Sequence, residues 1–365
     1  MIPLHEQKYG HIFCSNADVI LAGDIGGTNA NFGLFSLGCD CCLHGKQQKK
    51  EQKLSPLILS VHIKSRNITD FSRAVREVLA YLTAHHGIKK IHKACFGAAG
   101  VASANHDRAK PTNLDFIIDA QAIKHATGLQ EVVIINDFEA VAYGIEALDP
   151  KDLIALYVGK PRQKENKAII GAGTGLGKCI LGWDDYDSQY VPIPSEGGHA
   201  DFPIQSQQEL DLANFIRTQG GFGCPISWED ILSGAGIMRI YEFLGTLNHY
   251  KKTAQSEHII NDGPHPDYIF SHQDVDERCA DTFTMFAGFY ARCAKDFSLE
   301  TLALGGIYIA GGIAAKNLGL FKLPEFREQF LACGKQRYLL ADIPITIIAD
   351  YNVSLYGAAR YLMIE

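Results

Sequence analysis

The sequence predicts an α/β protein of two domains in which one structural device is used twice. Three observations predict it. The segments VILAGDIGGTNANFGLFSL at 19–37 and AIIGAGTGLGKCILGW at 168–183 are each an apolar, β-branched run entering a glycine-tipped turn, followed by a second apolar run leaving it. Strand-like runs alternate with segments whose apolar residues recur at three and four. At 365 residues with 47% hydrophobic content, the chain has material for two domains of ordinary size. Duplicated halves facing each other across a central cleft are a natural place to bind a nucleotide.

Taken in order, strands are expected near 19–24, 31–37, 57–63 and 91–96. Between the last two, ITDFSRAVREVLAYLTAHHG has helical periodicity, with Thr69 placed to cap it and Gly87 to end it. The polar tract GKQQKKEQK reads as a solvated loop before LILSVHI. After the loop GAAGVASANHDRAKPTNLDF comes a short helix at 119–127, then the strand EVVIIND and the helix FEAVAYGIEAL. The second glycine turn follows, then helical stretches around 208–217, 229–245 and 276–299 and the strand GIYIAGGI. The chain closes on VSLYGAARYLMIE, a helix whose Gly357, Ala358 and Ala359 permit close packing.

Composition excludes several classes. A formal net charge of −7 with no long basic run argues against a nucleic-acid partner, KQQKK at 46–50 being too short for a binding stripe. No apolar stretch approaches the roughly 18 residues of a membrane span, and the N-terminus lacks an apolar signal region, so a cytoplasmic protein is expected. The ten cysteines are scattered, which suits reduced thiols. Cys39, Cys41, Cys42 and His44 cluster, but no separated second ligand pair follows them, and zinc is disfavoured.

Glycine turns of this kind suit phosphate, because backbone N–H groups can approach an anion closely and Thr28, Asn29 and Thr174 add side-chain donors. The familiar phosphate motifs do not fit. In AGTGLGKC, Ala172 stands at the first Walker glycine and Cys179 at the magnesium-ligating hydroxyl, while Leu176 occupies the third glycine position of a dinucleotide fingerprint. Ordinary hairpin turns are the plain alternative.

Six blocks in order, GDIGGTNA (23–30), IINDFEA (134–140), GAGTGLG (171–177), SEGGHADF (195–202), ILSGAG (231–236) and IAGGIAAK (309–316), closely resemble the bacterial-type glucokinases of the hexokinase and actin-like ATPase superfamily. The resemblance implies two domains with duplicated ribonuclease-H-like cores, a homodimer, and transfer of the γ-phosphoryl group of ATP to the 6-hydroxyl of glucose. It also implies a small domain of residues 1–136 recovering the last helix, 353–365, and a large domain of 137–352.

Asp137 ends an apolar strand, where a carboxylate can accept the sugar hydroxyl's proton; the other reading of this residue is the N-cap of FEAVAYGIEAL. Asn136 beside it makes an Asn–Asp pair that offers both a donor and an acceptor to adjacent sugar hydroxyls. Glu196 and His199 flank Gly197-Gly198, and by resemblance both bind glucose, a metal pair being disfavoured by the glycines. Glu229 falls where the family has a further glucose-binding carboxylate, and equally suits a helix N-terminus. Asn113, in a Thr-Asn pair, completes the expected sugar set. On the nucleotide side the resemblance implies Gly23, Asp24, Ile25, Gly26, Gly27, Thr28 and Asn29, with Asp24 holding Mg²⁺ through water, faced by Gly173, Thr174, Gly311 and Gly312. Asn31 stands where the family usually carries arginine, a change expected to weaken the phosphate side. The alternatives are a kinase for another hexose, a sugar-independent ATPase on the same scaffold, and a sugar-sensing regulator; only eighteen residues precede Val19, too few for a helix-turn-helix.

Overall fold

The computed structural model describes residues 2–9, 18–37, 54–88, 91–112, 114–220, 225–247, 250–251, 253–254, 257–259 and 265–364. The Cys39, Cys41, Cys42 and His44 cluster and Asn113 lie outside them. The chain forms two compact units, Met1–Pro150 with Asn352–Glu365, and Lys151–Tyr351.

The first unit contains β1 (His5–Lys8), β2 (Asp18–Ile25), β3 (Asn29–Leu37), β4 (Leu59–Lys64), α1 (Phe71–His86), β5 (Ile91–Ala98), the short β6 (Arg108–Ala109) and β7 (Ile118–Asp119), α2 (Ala120–Thr127), β8 (Glu131–Asn136), α3 (Asp137–Ile145) and the C-terminal helix Val353–Ile364. Its main sheet has the order β1-β4-β3-β2-β5-β8. The β2–β3 and β3–β4 pairs are antiparallel, whereas β5 and β8 join in parallel. Continuous apolar runs such as VVII and VILA form these strands because helices cover both faces of the sheet. On one face Phe71 of α1 meets Phe96 of β5 edge-on at 5.3 Å and stacks on Phe116 at 5.7 Å. On the other, Leu355, Ala358 and Ala359 of the C-terminal helix pack with Ile20, Cys95, Ile135 and Ala140. A Cβ at Gly357 would overlap the Ala140 carbonyl, so only glycine lets this helix lie against α3. That contact places α3 in the first unit, which therefore extends through Pro150 instead of stopping at Asn136.

The second unit contains β9 (Leu153–Tyr157), β10 (Lys167–Ala172), β11 (Leu176–Asp184), β12 (Gln189–Ser195), α4 (Gln207–Gly220), α5 (Trp228–Ile231), α6 (Gly234–Leu244), α7 (Pro266–Ser271), α8 (Glu277–Thr301), β13 (Gly306–Ala310), α9 (Gly312–Lys316), α10 (Pro324–Leu331), α11 (Arg337–Asp342) and β14 (Ile345–Ile348). Its sheet has the order β12-β11-β10-β13-β14-β9. The connectivity β12-β11-β10-β13-β14, two antiparallel pairs and then two parallel ones, repeats that of β4-β3-β2-β5-β8 in the first unit. Both glycine segments are thus the first hairpin of the same five-strand pattern. The core beneath this sheet is built on α8, whose Phe286, Tyr290 and Phe297 are buried with Phe321 and Phe330.

Two local expectations are corrected, and the alternative reading of Asp137 is set aside. Asp70, not Thr69, caps α1, its Oδ1 accepting from Arg73 N at 3.1 Å, while Gly87 ends the helix in the left-handed conformation as expected. The stretch 229–245 is two helices, because the Ser233 side chain accepts from Gly236 N at 3.1 Å and starts a new one. Asn136, not Asp137, caps α3.

Candidate active site

In the first unit the candidate residues gather where parallel strands end. The registers Asp24↔Gly97 and Ala98↔Asn136 bring β2, β5 and β8 to a common carboxyl edge, the edge at which open α/β sheets hold ligands. Gly23, Asp24 and Ile25 form the end of β2. The turn beyond them is closed by Gly26 N donating to Asn29 O at 3.0 Å. Ser65 fixes it from outside, its Oγ donating to Gly26 O at 2.6 Å and its N to Thr28 O at 3.0 Å. Lys64 Nζ donates to Asn29 Oδ1 at 2.9 Å, so a cation stands on this turn. Asn31 itself is buried and directs Nδ2 to Asp24 Oδ2 at 3.5 Å. Burial pushes the Asp24 carboxyl above the ordinary range, against hydrogen bonds from Ser354 and Asn31 that pull it down.

Asp137 is the first residue of α3, with Asn136 as its cap. Asn136 Oδ1 accepts from Phe138 N at 2.9 Å and Glu139 N at 3.1 Å, and Glu139 Oε2 accepts from Asn136 N at 3.3 Å, a reciprocal capping box. Asn136 Nδ2 donates to Gly100 O at 2.9 Å. The Asn136 amide is therefore used to build the turn that presents Asp137. Glu139 is buried, which raises its pKa, with the charge of His106 and the Asn136 N–H opposing. The spacing of Asn136 and Glu139 carried this signal in the sequence; the role of Ser65 had none, because it depends on two strands meeting.

In the second unit, Glu196, His199 and Glu229 come together. His199 Nε2 lies 3.7 Å from Glu196 Oε2, and His199 Nδ1 lies 4.0 Å from Glu229 Oε1. The three side chains are about a quarter to a half exposed, open to a polar ligand. Glu196 precedes a single 3-10 turn, Gly197–His199, that reverses the chain after β12. A Cβ at Gly198 would overlap the Leu176 carbonyl, so glycine is required for this turn to lie on β11. Glu229 sits in the first turn of α5, where Ser227 and Asp230 form the capping box. Its Oε2 also accepts from Leu176 N at 2.9 Å. Glu229 thus lies at a helix N-terminus, one of its two readings from the sequence, and is also fastened to the glycine hairpin.

That hairpin turn is closed by Gly173 N donating to Gly175 O at 2.8 Å and is tied to the start of α6 by Gly234 N donating to Gly173 O at 2.9 Å. The N–H groups of Gly26 and Gly173 thus close the two turns from within. Gly311, at φ 92°, turns the chain from β13 into α9 beside Ala172, so Gly311-Gly312 and Gly173-Thr174 occupy neighbouring strand ends. Sequence reasoning missed Lys178. Its stem runs beneath Gly197, and its ammonium, 5.0 Å from the Phe297 ring centroid, is buried.

These features define a class: a duplicated α/β protein with glycine hairpins at matching strand ends, one carboxylate at the head of a helix, and a carboxylate–imidazole–carboxylate set suited to the hydroxyls of a small polyol. The glucokinase family model matches residues 21–364. The chain is 34% identical over 355 residues to the glucokinase of Nostoc punctiforme, covering 93% of this chain and 98% of that protein. The crystal structure of a glucokinase from an Antarctic psychrotroph superposes with a TM-score of 0.71 at 26% identity, covering 95% of this chain and 99% of that one. The glucokinase of Balamuthia mandrillaris, solved with glucose, shares the fold with a TM-score of 0.77 at 19% identity, covering 96% and 94%. The chain belongs to the glucokinase family.

Proposed function

We propose that this chain transfers the γ-phosphoryl group of ATP to the 6-hydroxyl of D-glucose, giving glucose 6-phosphate and ADP, with Asp137 as general base. The observation that carries the reading is the division of labour at the head of α3. Asn136 makes the capping box, Asp137 Oδ1 sharing Phe138 N at 3.0 Å, and Asp137 stands at the carboxyl edge of the sheet, where the single strand β5 separates β8 from the strand bearing Asp24. It accepts the proton of the attacking hydroxyl as the oxygen closes on phosphorus. Glu196, His199 and Glu229 hold the other hydroxyls, the carboxylates accepting and the imidazole free to donate or accept by tautomer. The residues Gly23 to Asn29, with Gly173, Thr174, Gly311 and Gly312, form the nucleotide side, and Lys64 adds charge there.

The donor set at Asp24 fits magnesium. Among the described residues no group of three His, Cys, Asp or Glu side chains could hold a metal, and a single carboxylate beside a phosphate turn is how Mg²⁺ is held when water and phosphate supply the other ligands. When bound, the ion neutralises charge developing on the phosphate oxygens. Asp24 would hold it, oriented by Asn31 and Ser354. Cytoplasmic location and a homodimer follow from likeness to the family and belong to the same proposal. No helix among the described residues is long and apolar enough to cross a membrane.

Incubation with Mg-ATP and glucose labelled with ¹³C at C6 tests the reaction. A product whose C6 resonance is split by phosphorus supports the reading. Release of inorganic phosphate with the sugar unchanged overturns it.

A further inference from the structure

Three side chains stand abreast across three strands behind the nucleotide turn. The β2–β3 register pairs Asp24 with Asn31, and the β3–β4 register pairs Asn31 with His62. Ser60 lies two residues before His62, on the same face of β4, and is fully buried. The contacts form one unbroken line: Ser60 Oγ to His62 Nε2 at 2.8 Å, His62 Nδ1 to Asn31 Oδ1 at 2.8 Å, and Asn31 Nδ2 to Asp24 Oδ2 at 3.5 Å. We propose that His62, acting through Asn31, is a positioning residue that keeps Asp24 presented as a hydrogen-bond acceptor on the metal side of the nucleotide site.

The argument is one of direction. A carboxylate accepts, so the Asn31 amide must turn its NH₂ toward Asp24. That leaves Oδ1 facing His62, which must then donate from Nδ1. The neutral ring carries no proton on Nε2 in that tautomer, and Ser60 supplies the donor it needs. Each link fixes the next, and the line ends in a hydroxyl that can rotate to suit. Were His62 protonated on Nε2 alone, Asn31 would flip and set a carbonyl against the Asp24 carboxylate, two acceptors in contact. Among the described residues His5, opposite His62 on β1, is the titratable group that acts on it, and burial together with His5 keeps the His62 ring below the ordinary histidine range, which favours the neutral form.

This inference rests on Asp24 being the magnesium-side carboxylate, and the experiments separate the two. Long-range ¹H–¹⁵N correlation spectra of the whole protein, with His62 assigned by its loss in His62→Asn, report the tautomer directly. A protonated Nδ1 and bare Nε2 are expected; the opposite tautomer overturns the proposal, whatever the variants do. In steady state, His62→Leu should raise the Mg²⁺ concentration giving half-maximal rate by about 10-fold, in line with other partners of metal-holding groups. The KM for glucose should stay within twofold. His62→Asn, which can still donate to Asn31 Oδ1, should recover most of the effect. An unchanged Mg²⁺ requirement in His62→Leu, with Asp24→Asn inactive, sinks the positioning role and leaves the site reading intact. Full activity in Asp24→Asn sinks the site reading itself.

Discussion

Asp137 and Asn136 show how two adjacent polar residues divide tasks that either could perform alone. The cap falls to Asn136 because its backbone is extended while Asp137 is already helical, so the Asn136 oxygen reaches the N–H groups of Phe138 and Glu139. Asn136→Ala should cost about 1 kcal/mol of stability by chemical denaturation, and should lower activity further because Gly100 loses its donor. In the second unit, His199→Ala and Glu196→Ala should each raise the KM for glucose by about 10-fold or more, with the KM for ATP little changed, as expected for loss of a charge-assisted hydrogen bond. Glu229→Ala should do the same and also loosen the hairpin, because Leu176 N loses its acceptor. At this scale the sequence displayed the chemical types through their glycine-flanked settings. It did not display Lys178, Ser65 or His62, whose contacts depend on separate segments that only the fold brings side by side.

Elements carry the argument from residues to fold. Each glycine segment is the first hairpin of a five-strand pattern, and the apolar runs beside it were legible as strands because helices cover both faces. Three of the four edge strands, β1, β9 and β12, were not. In β12, Pro192 and Pro194 interrupt the strand signature, and the structure admits them because β12 is hydrogen-bonded on one side only. The break at Ser233 was hidden because apolar periodicity continues through it, and only the side-chain cap reveals two helices. The domain division placed at Asn136 missed the contact of α3 with the C-terminal helix, which no local pattern encodes. Gly357→Leu tests that contact. It forces a side chain into the Ala140 backbone and should destabilise the first unit by about 3 kcal/mol or more, read as a lower denaturation midpoint.

At the scale of the whole molecule, the repeated connectivity gives each unit a matching strand edge on which to place its share of the chemistry, which is why the doubled glycine signature was the most informative feature of the chain. Stability should also carry a pH signature from the first unit. Burial pushes Glu6 upward, but hydrogen bonds from His86 Nε2 and Tyr81 Oη, both at 2.7 Å, outweigh it and hold the carboxyl below its ordinary range. A lowered folded pKa adds stability that is present above pH 4.5 and lost as pH falls through the folded value. The difference in midpoint between wild type and Glu6→Gln should therefore shrink on acidification below about pH 4.5. The central claim is a sugar-dependent phosphoryl transfer that needs one carboxylate, and ADP formation from Mg-ATP across a panel of hexoses, on wild type and Asp137→Ala, tests it most directly. The account predicts turnover that requires glucose and falls by about 10²–10⁴-fold in the variant. ATP hydrolysis indifferent to every sugar and unchanged by the substitution would contradict it.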